Sequence, residues 1–240
     1  MRKALLLLPG WLSLATLFLP ASTLSAQAMK FGLSLNSGLF SFAGRSATST
    51  SAINSTANLP NYTNNPYGSR VGWCDGLSVE LRRVTRRRLL FGVSLGYEAL
   101  RSRLDITSVN ISGVDFYSVP AHGHTMLTSQ FINLFPSIGY RFLPGKLTVD
   151  LTGGLDLGYC LSAEENGKAD AGNGLTYSST RDRKTISADI RPRLQVSVGF
   201  HKTAVYVGYS YGLMNYMAGY IGGNNAAYSR LLRFGLQYWL

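Results

Sequence analysis

The chain closes with Ser229-Arg-Leu-Leu-Arg-Phe-Gly-Leu-Gln-Tyr-Trp-Leu240. Every second residue of its last nine is apolar or aromatic, namely Leu232, Phe234, Leu236, Tyr238 and Leu240. The residues between them are mixed and largely polar, with Arg233, Gly235 and Gln237 among them. Because side chains alternate between the two sides of a strand, this segment predicts a β-strand with one apolar face and one mostly polar face.

A terminal strand of this kind resembles the C-terminal β-signal by which outer-membrane barrels are recognised for insertion, although Leu240 stands where Phe is usual. The beginning of the chain likewise predicts export toward the outer membrane. Two basic residues precede an apolar run over 4–19, and Ala26-Gln-Ala28 matches an A-x-A cleavage site. These features predict a signal peptide over 1–28, a mature domain over 29–240 and an outer-membrane location. An uncleaved anchor is the alternative, but Pro and Gly residues interrupt the run.

Composition narrows the class of protein further. Without the 28 leader residues the chain has 212 residues, and its formal net charge falls from +11 to +9. In an exported chain without a basic helix, this charge favours lipid phosphates over nucleic acid as the partner. Two cysteines exclude a disulfide-rich scaffold.

The two-residue alternation recurs in seven further segments. The predicted strands cover about 30–40, 76–84, 89–100, 129–142, 147–161, 185–200 and 204–216, and the C-terminal strand is the eighth. Most have about the 9–11 residues that a tilted strand needs to cross a bilayer.

The connections between these strands alternate in length. Three are tight, at 85–88, 143–146 and 201–202, and four are long, at 43–75, 101–128, 162–184 and 217–228. Short periplasmic turns and longer extracellular loops are typical of bacterial barrels. The first long loop is rich in Ser, Thr and Asn over 46–65 and has little apolar content to order it. We therefore predict an all-β fold, an eight-stranded antiparallel up-and-down transmembrane β-barrel with both termini in the periplasm.

A soluble barrel would show the same alternation with the two faces exchanged. The polar face argues against it, because it carries small residues in Gly92-x-Ser94-x-Gly96, Gly154-x-Asp156-x-Gly158 and Gly208-x-Ser210-x-Gly212. Small residues suit the narrow lumen of an eight-stranded barrel. A water-facing strand has no need of them, since interior Gly weakens a strand.

Two of these strands carry a family resemblance. Phe131-Ile-Asn-Leu-Phe-Pro-Ser-Ile-Gly-Tyr-Arg-Phe142 and Gly153-Gly-Leu-Asp-Leu-Gly-Tyr-Cys-Leu-Ser162 resemble strands of the PorT-like outer-membrane β-barrel proteins of Bacteroidetes. The resemblance implies a porin-like barrel of a Gram-negative outer membrane, in a family whose members mostly lack an assigned biochemical function. A few members assist a secretion or gliding apparatus.

Ten charged residues have the parity of the lumen face. They are Glu80, Arg82, Glu98, Arg141, Asp150, Asp156, Asp189, Arg191, Arg193 and Arg233. Charges in a narrow lumen of low dielectric constant must be paired, so we expect ion pairs that plug the barrel. The tight turn at 143–146 should set Gly139 opposite Asp150, with Arg141 one diagonal step away, and Asp156 should lie within a step of Arg191. Acid/base catalysis and an ion path are the alternatives.

Histidine placement argues against an enzyme, a metal site or a cofactor. His122 and His124 have a spacing that suits one metal ion, but the nearest acid is Asp115 and no third ligand follows. All three histidines are predicted in or beside loops, away from any Ser at strand spacing.

For two pairs of residues near the predicted extracellular strand ends, the sequence leaves two alternative roles open. Arg101 and Arg103 continue an outward face above the apolar band and either contact lipopolysaccharide phosphates or are solvated. Cys74 and Cys160 both have inward parity, and a disulfide between them requires Cys74 to fold inward from its loop.

The run Arg86-Arg87-Arg88 in the first tight turn meets phospholipid headgroups or water.

The sequence therefore predicts a non-enzymatic barrel with a structural or interaction role, acting through long extracellular loops and charged rims. Its expected partners are outer-membrane lipids, lipopolysaccharide and a membrane protein. A small pore or solute channel is the alternative function.

Overall fold

The computed structural model describes residues 29–113, 115–183, 185–219 and 225–240, and the expected signal peptide lies outside them. These residues form eleven strands and no helix. The strands are β1 (Met29–Ala43), β2 (Thr50–Thr56), β3 (Tyr62–Thr63), β4 (Arg70–Val84), β5 (Leu89–Ser112), β6 (Phe116–Leu143), β7 (Leu147–Ala171), β8 (Thr176–Asp182), β9 (Ala188–Phe200), β10 (Thr203–Tyr211) and β11 (Tyr228–Trp239). The all-β prediction is confirmed. Among the described residues, no helical segment has the length and apolar character needed to span a membrane.

Eight of the strands close a ring. They pair in the order β1, β4, β5, β6, β7, β9, β10, β11 and back to β1, and every one of these pairings is antiparallel. The closing pair runs from Gly32 opposite Trp239 to Ala43 opposite Tyr228. A closed ring leaves no exposed sheet edge. The three tight turns lie together at one end of the ring, which we call the turn end; the other is the distal end.

The two faces of the ring differ as the alternation predicts. Outward residues are apolar and exposed, such as Leu35 at 67% and Val205 at 54% of their full exposure. Inward residues of the ring strands are polar or small and buried, such as Ser34 on β1 and Asp156 on β7. An apolar outside and a polar inside suit a barrel whose surroundings are apolar.

Three ring strands are much longer than the sequence predicted. β5, β6 and β7 have 24, 28 and 25 residues, so the segments 101–112, 116–128 and 162–171 continue as strands rather than loops. Along β5 the inward residues become apolar, as at Leu104 and Ile106, and the outward residues become polar, as at Arg103 and Asp105. The period of two continues while the polarity of the two faces is exchanged. In the sequence, the loss of the outward apolar face near residue 101 predicts the end of the strand, and the structure shows that this prediction is wrong.

The longer strands build a second sheet beyond the ring. This distal sheet has the order β3-β2-β5-β6-β7-β8, and β2 lies parallel to β5. Its core contains Ile53, Leu104, Ile106, Val109, Ala121, Ala169 and Ala171. The expectation that 46–65 forms an unordered loop is therefore wrong, because Ile53 is fully buried and anchors β2 in this core. The predicted loop 162–184 likewise contains β8.

Side chains join the two edges of the distal sheet. The backbone N–H of Thr63 on β3 donates to Glu165 Oε1 at 2.9 Å, and Arg183 Nε donates to Glu165 Oε2 at 2.5 Å. Arg183 also donates to the carbonyl of Thr63. Asn61 Nδ2 donates to the carbonyl of Ser178 on β8 at 3.0 Å. Glu165 is fully buried, so this pair holds the distal sheet in a closed form.

Replacing Glu165 should open the distal sheet while the ring stays folded. Glu165→Ala leaves the buried Arg183 and the Thr63 N–H without their acceptor, a loss of about 3–5 kcal/mol for a well-buried pair. Amide exchange should accelerate over 50–63, with the folded gel mobility of the ring unchanged.

Glu164→Ala is the matched control, because Glu164 is the neighbouring exposed residue of the same strand. Equal exchange rates over 50–63 in the two variants would contradict the role given to Glu165.

Candidate functional site

The lumen of the ring collects the charged residues that the sequence assigned to it. Nine of the ten take part in ion pairs, and these fall into two groups. The proximal ion cluster, near the turn end, contains Glu80, Arg82, Arg141 and Asp150. The central ion cluster contains Glu98, Asp156, Asp189, Arg191 and Arg233.

In the proximal ion cluster, the Asp150 carboxylate accepts hydrogen bonds from two arginines. Arg141 donates to both of its oxygens, at 2.7 and 2.8 Å, and Arg82 Nη1 donates to it at 3.1 Å. Arg82 also donates to Glu80 at 2.7 Å. The guanidinium of Arg82 lies 4.4 Å from the centroid of the Trp239 ring, a cation–π contact. The last strand is thereby tied to β4.

The register at Asp150 differs from the sequence expectation. Arg141 lies directly opposite Asp150, and Gly139 lies opposite Thr152. Leu143 already pairs with Val149 beside the turn, and the pairing beyond it is offset by two residues from the expected one, so the expected placement of Gly139 opposite Asp150 is wrong. Direct opposition permits the two-bond geometry that a guanidinium and a carboxylate favour.

The central ion cluster connects strands from all around the ring. Arg233 on β11 donates to Glu98 on β5 at 2.5 and 2.8 Å, and also to Asp156 on β7. Arg191 on β9 lies 3.2 Å from Asp156, its directly opposite residue, and 3.4 Å from Glu98. Both arginines and both carboxylates are almost completely buried. Two cations thus share two carboxylates at the barrel axis, with Asp189 on the distal side of Arg191 at 3.9 Å.

Arg193 is the exception among the ten lumen charges. No carboxylate among the described residues lies within ion-pair distance of it, so the expectation of an ion pair is wrong at this position. Its opposite residue is Gly154, and Asp156 is already engaged by Arg191 and Arg233. Arg193 instead lies 4.4 Å from the centroid of the Phe135 ring and donates to Gln195.

An aromatic cap closes the distal side of the central ion cluster. It consists of Phe40, Phe42, Tyr67 and Tyr216, whose neighbouring rings meet edge to face at 4.9 to 6.3 Å between centroids. The Tyr216 hydroxyl donates to Asp189 Oδ2 at 2.8 Å. Burial raises the pKa of Tyr216 well above its usual value, and Asp189 raises it further, so this hydroxyl remains a neutral donor. The cap and the ions therefore form one continuous plug.

Sequence reasoning missed the aromatic cap. A signal was present in β1, because Phe40 and Phe42 have the same parity as the inward residues Ser34 and Gly38. Large aromatic residues on an otherwise small and polar face mark a change of environment along the lumen. Tyr67 and Tyr216 come from the connections around β3 and after β10, and no local pattern places them there.

Little space remains between these groups. The cavity beside the central ion cluster has a volume of about 30 Å³ and is lined by polar side chains including Asn36, Asn133 and Gln237. A second cavity, at the turn end beside Arg141 and Trp239, has about 70 Å³. One water needs roughly 10–15 Å³ on this measure, so the first cavity admits about two waters. Neither has room for a sugar or an amino acid.

Arg101 and Arg103 lie on the outward face of β5, at the start of the distal sheet. Arg101 pairs with Asp75 and donates to the carbonyl of Trp73 at 3.3 Å. Arg103 is exposed and lies opposite Arg70. Arg101 thus has a protein partner for its charge, which leaves Arg103 as the better candidate for an external anion.

Cys74 and Cys160 are both free thiols, so the open hypothesis of a disulfide between them is not supported. Their strands, β4 and β7, are separated around the ring by β5 and β6. Cys74 is buried in the cluster that contains the aromatic cap, and the partly buried Cys160 packs against the same cluster without a disulfide between them.

His122 and His124 lie in strand β6 and not in a loop, which corrects the sequence expectation. Both are exposed on its outward face, opposite Asp170 and Lys168 of β7. Among the described residues, no group of three or more His, Cys, Asp or Glu is arranged to hold a metal ion.

Comparison with known proteins gives a family match. A family model described as the outer membrane protein beta-barrel domain matches residues 26–218. A search of curated proteins finds no match.

Three solved structures are similar to the chain over most of its length. Ail of Yersinia pestis is 10% identical, with 88% of this chain and 98% of that chain covered and a TM-score of 0.38. Ail in complex with the heparin analogue sucrose octasulfate is 11% identical, with 88% and 97% covered and a TM-score of 0.35. Neisserial surface protein A is 13% identical, with 87% and 96% covered and a TM-score of 0.39.

The two arginines on Asp150 yield a stability prediction. Asp150→Ala leaves Arg82 and Arg141 without a shared carboxylate and should cost about 3–5 kcal/mol. The temperature at which the folded band converts to the unfolded band in SDS gels should fall. Arg141→Ala should lower it too, and the double variant should show less than the sum of the two losses.

The control is Asp115→Ala, which removes an exposed carboxylate from the connection between β5 and β6. Two outcomes would contradict the pairing of Asp150 with Arg141. One is a conversion temperature of the double variant that falls by the sum of the two single losses, and the other is a conversion temperature of Asp115→Ala that falls as far as that of Asp150→Ala.

Proposed function

The chain belongs to the outer membrane protein beta-barrel domain family, and on that premise we propose that its ring spans the outer membrane of a Gram-negative cell as an eight-stranded antiparallel up-and-down barrel. The mature domain 29–240 reaches that membrane through the signal peptide 1–28. The motifs at 131–142 and 153–162 support a place among the PorT-like members of the family. The outward band of apolar residues is the surface that lipid covers.

The turn end faces the periplasm in this proposal, and the distal sheet lies outside the cell. The three connections at the turn end are short, as periplasmic turns are. The distal sheet supports the same direction, because most outward residues along its strands are polar and its buried apolar residues form a core of their own. Such a surface suits water and not lipid.

The barrel is a closed structural element and neither an enzyme nor a pore. The observation that carries this conclusion is the plugged lumen, in which the central ion cluster and the aromatic cap leave a cavity of about 30 Å³. The buried charges form ion pairs with one another, which suits a structural role better than catalytic turnover. A solute channel would need a lumen that these side chains already fill.

The function then resides at the barrel's outer surfaces. Six strand segments give the distal sheet a stable shape, and large apolar side chains stand exposed near its tip: Leu59, Phe116, Tyr117 and Leu175. Exposed apolar groups on an ordered scaffold are typical of protein-binding surfaces. We propose a binding role for the distal sheet, toward a membrane protein or lipopolysaccharide, with Arg103 as a contact for lipid phosphates.

Electrical recording tests the closed lumen. In planar bilayers the wild-type protein should show at most small and rare openings, because the plug blocks the axis. Removal of both cations of the central ion cluster, with Arg191→Ala and Arg233→Ala together, should leave unpaired carboxylates and more frequent, cation-selective openings. A steady large conductance of the wild type would instead establish the pore function.

Tag accessibility tests the orientation. An epitope inserted at Asn58, in the turn between β2 and β3, should bind antibody on intact cells. The same epitope inserted at Arg87, in the first tight turn, should bind only after the outer membrane is opened. The reverse result would overturn the orientation, and recovery of the untagged protein in the soluble periplasm would overturn the barrel's membrane location.

A further inference from the structure

Charge is distributed very unevenly along the barrel axis. In the lumen, five arginines stand against five carboxylates, so the plug is neutral. The described part of the distal end mixes both signs, and several of its arginines pair with acids, as in Arg70–Asp105, Arg101–Asp75 and Arg183–Glu165.

The turn end is different. Its exposed charged residues are all basic: Lys30, Arg83, Arg86, Arg87, Arg88, Lys146 and Lys202. We call these seven residues the cationic rim. Among the described residues at this end, the acidic side chains are Glu80 and Asp150, and both are paired within the proximal ion cluster. With a formal charge of +9 over residues 29–240, most of the excess positive charge lies in this rim.

The rim lies directly against the apolar band. Along the outward face of β4, the exposed residues Val79 and Leu81 are followed by Arg83, which is opposite Phe91 on β5 and Met29 on β1. Arg83 thus occupies the position where one more apolar residue would extend the band. An Arg stem lies along apolar surface while its guanidinium reaches the polar boundary, which is where phosphates of a bilayer are found.

The turn that carries three of the arginines has a defined shape. Arg88 has a φ of 64°, a left-handed conformation that Gly adopts more easily. Its N–H donates to the carbonyl of Thr85 at 3.0 Å, and its carbonyl accepts from the Arg141 N–H at 2.9 Å. The other four rim residues come from the start of β1, the end of β4 and the turns that precede β7 and β10. The cations are therefore spread around the mouth of the barrel and do not converge on a single pocket.

We infer that the cationic rim is a binding surface for anionic phospholipid headgroups of the leaflet at the turn end. A ring of cations at the edge of an apolar band matches a ring of headgroups, whereas a single soluble anion would need a converging site. Arg binds phosphate through two parallel hydrogen bonds, and four of the seven residues are Arg. The inference rests on the proposed function, because it requires the ring to span a membrane.

Lipid selectivity measures this surface. The refolded full mature chain is placed in phosphatidylcholine vesicles that contain a trace of spin-labelled phosphatidylglycerol or spin-labelled phosphatidylcholine. Electron paramagnetic resonance then gives the fraction of each label held at the protein surface. We expect about a fivefold or greater preference for phosphatidylglycerol, since one basic residue near an anionic surface contributes about that factor.

The preference should weaken in 1 M salt, where the Debye length is only about 3 Å. It should fall most of the way to unity in the variant Arg83→Gln, Arg86→Gln, Arg87→Gln and Arg88→Gln. Replacing the same four residues by Lys should retain most of it, because the charge remains.

The matched control removes four exposed cations from the distal end, with Arg45→Gln, Lys168→Gln, Arg181→Gln and Arg230→Gln, and should keep the preference. Equal binding of the two labels by the wild type, or an equal loss in both Gln variants, would overturn the inference. The spin-label spectra separate these failures from a failure of the proposed function. A barrel that spans the bilayer holds motionally restricted lipid of either kind, and a chain that does not span it holds none.

Discussion

The shared engagement of Arg191 and Arg233 with Glu98 and Asp156 is the interaction on which the rest of the barrel depends. An eight-stranded ring has a lumen only wide enough for side chains, so whatever points inward must fit and must satisfy its own polarity. The four residues come from β5, β7, β9 and β11 and meet at the axis. Each of these strands must hold its register for the contacts to form, because a slip of one residue would turn a buried charge toward the apolar outside.

The same constraint explains the small residues of the lumen. A Cβ added at Gly158 would stand 3.2 Å from Arg191 Nη2 and 2.9 Å from Asn133 Oδ1. The small residue thus leaves room for the guanidinium to cross the lumen. Glycines that weaken a strand elsewhere permit the plug here, and the ion pairs they accommodate link strands that are not neighbours in the ring.

Polarity reverses once along the barrel, at about the level of the aromatic cap. Toward the turn end the strands have a polar inside and an apolar outside. Beyond the cap, Leu104 and Ile106 of β5 point inward, while Arg103 and Asp105 point outward. A continuous strand thus passes from an apolar surrounding to an aqueous one without interrupting its hydrogen-bonded ladder. The tip is held on an extension of the ring strands, so the binding surface proposed for it has a fixed position relative to the ring.

The sequence by itself determined the ring and the composition of its lumen. Both follow from the two-residue period, which is a local property of an extended backbone, and all ten predicted charges therefore lie on the predicted face. Only the tertiary structure decided which charges pair, that Arg193 contacts the ring of Phe135, and that Cys74 and Cys160 form no disulfide. It also decided that β5, β6 and β7 continue as strands and that β2 lies parallel to β5. These outcomes depend on bulges, register and buried contacts between distant segments, and no short stretch of chain contains them.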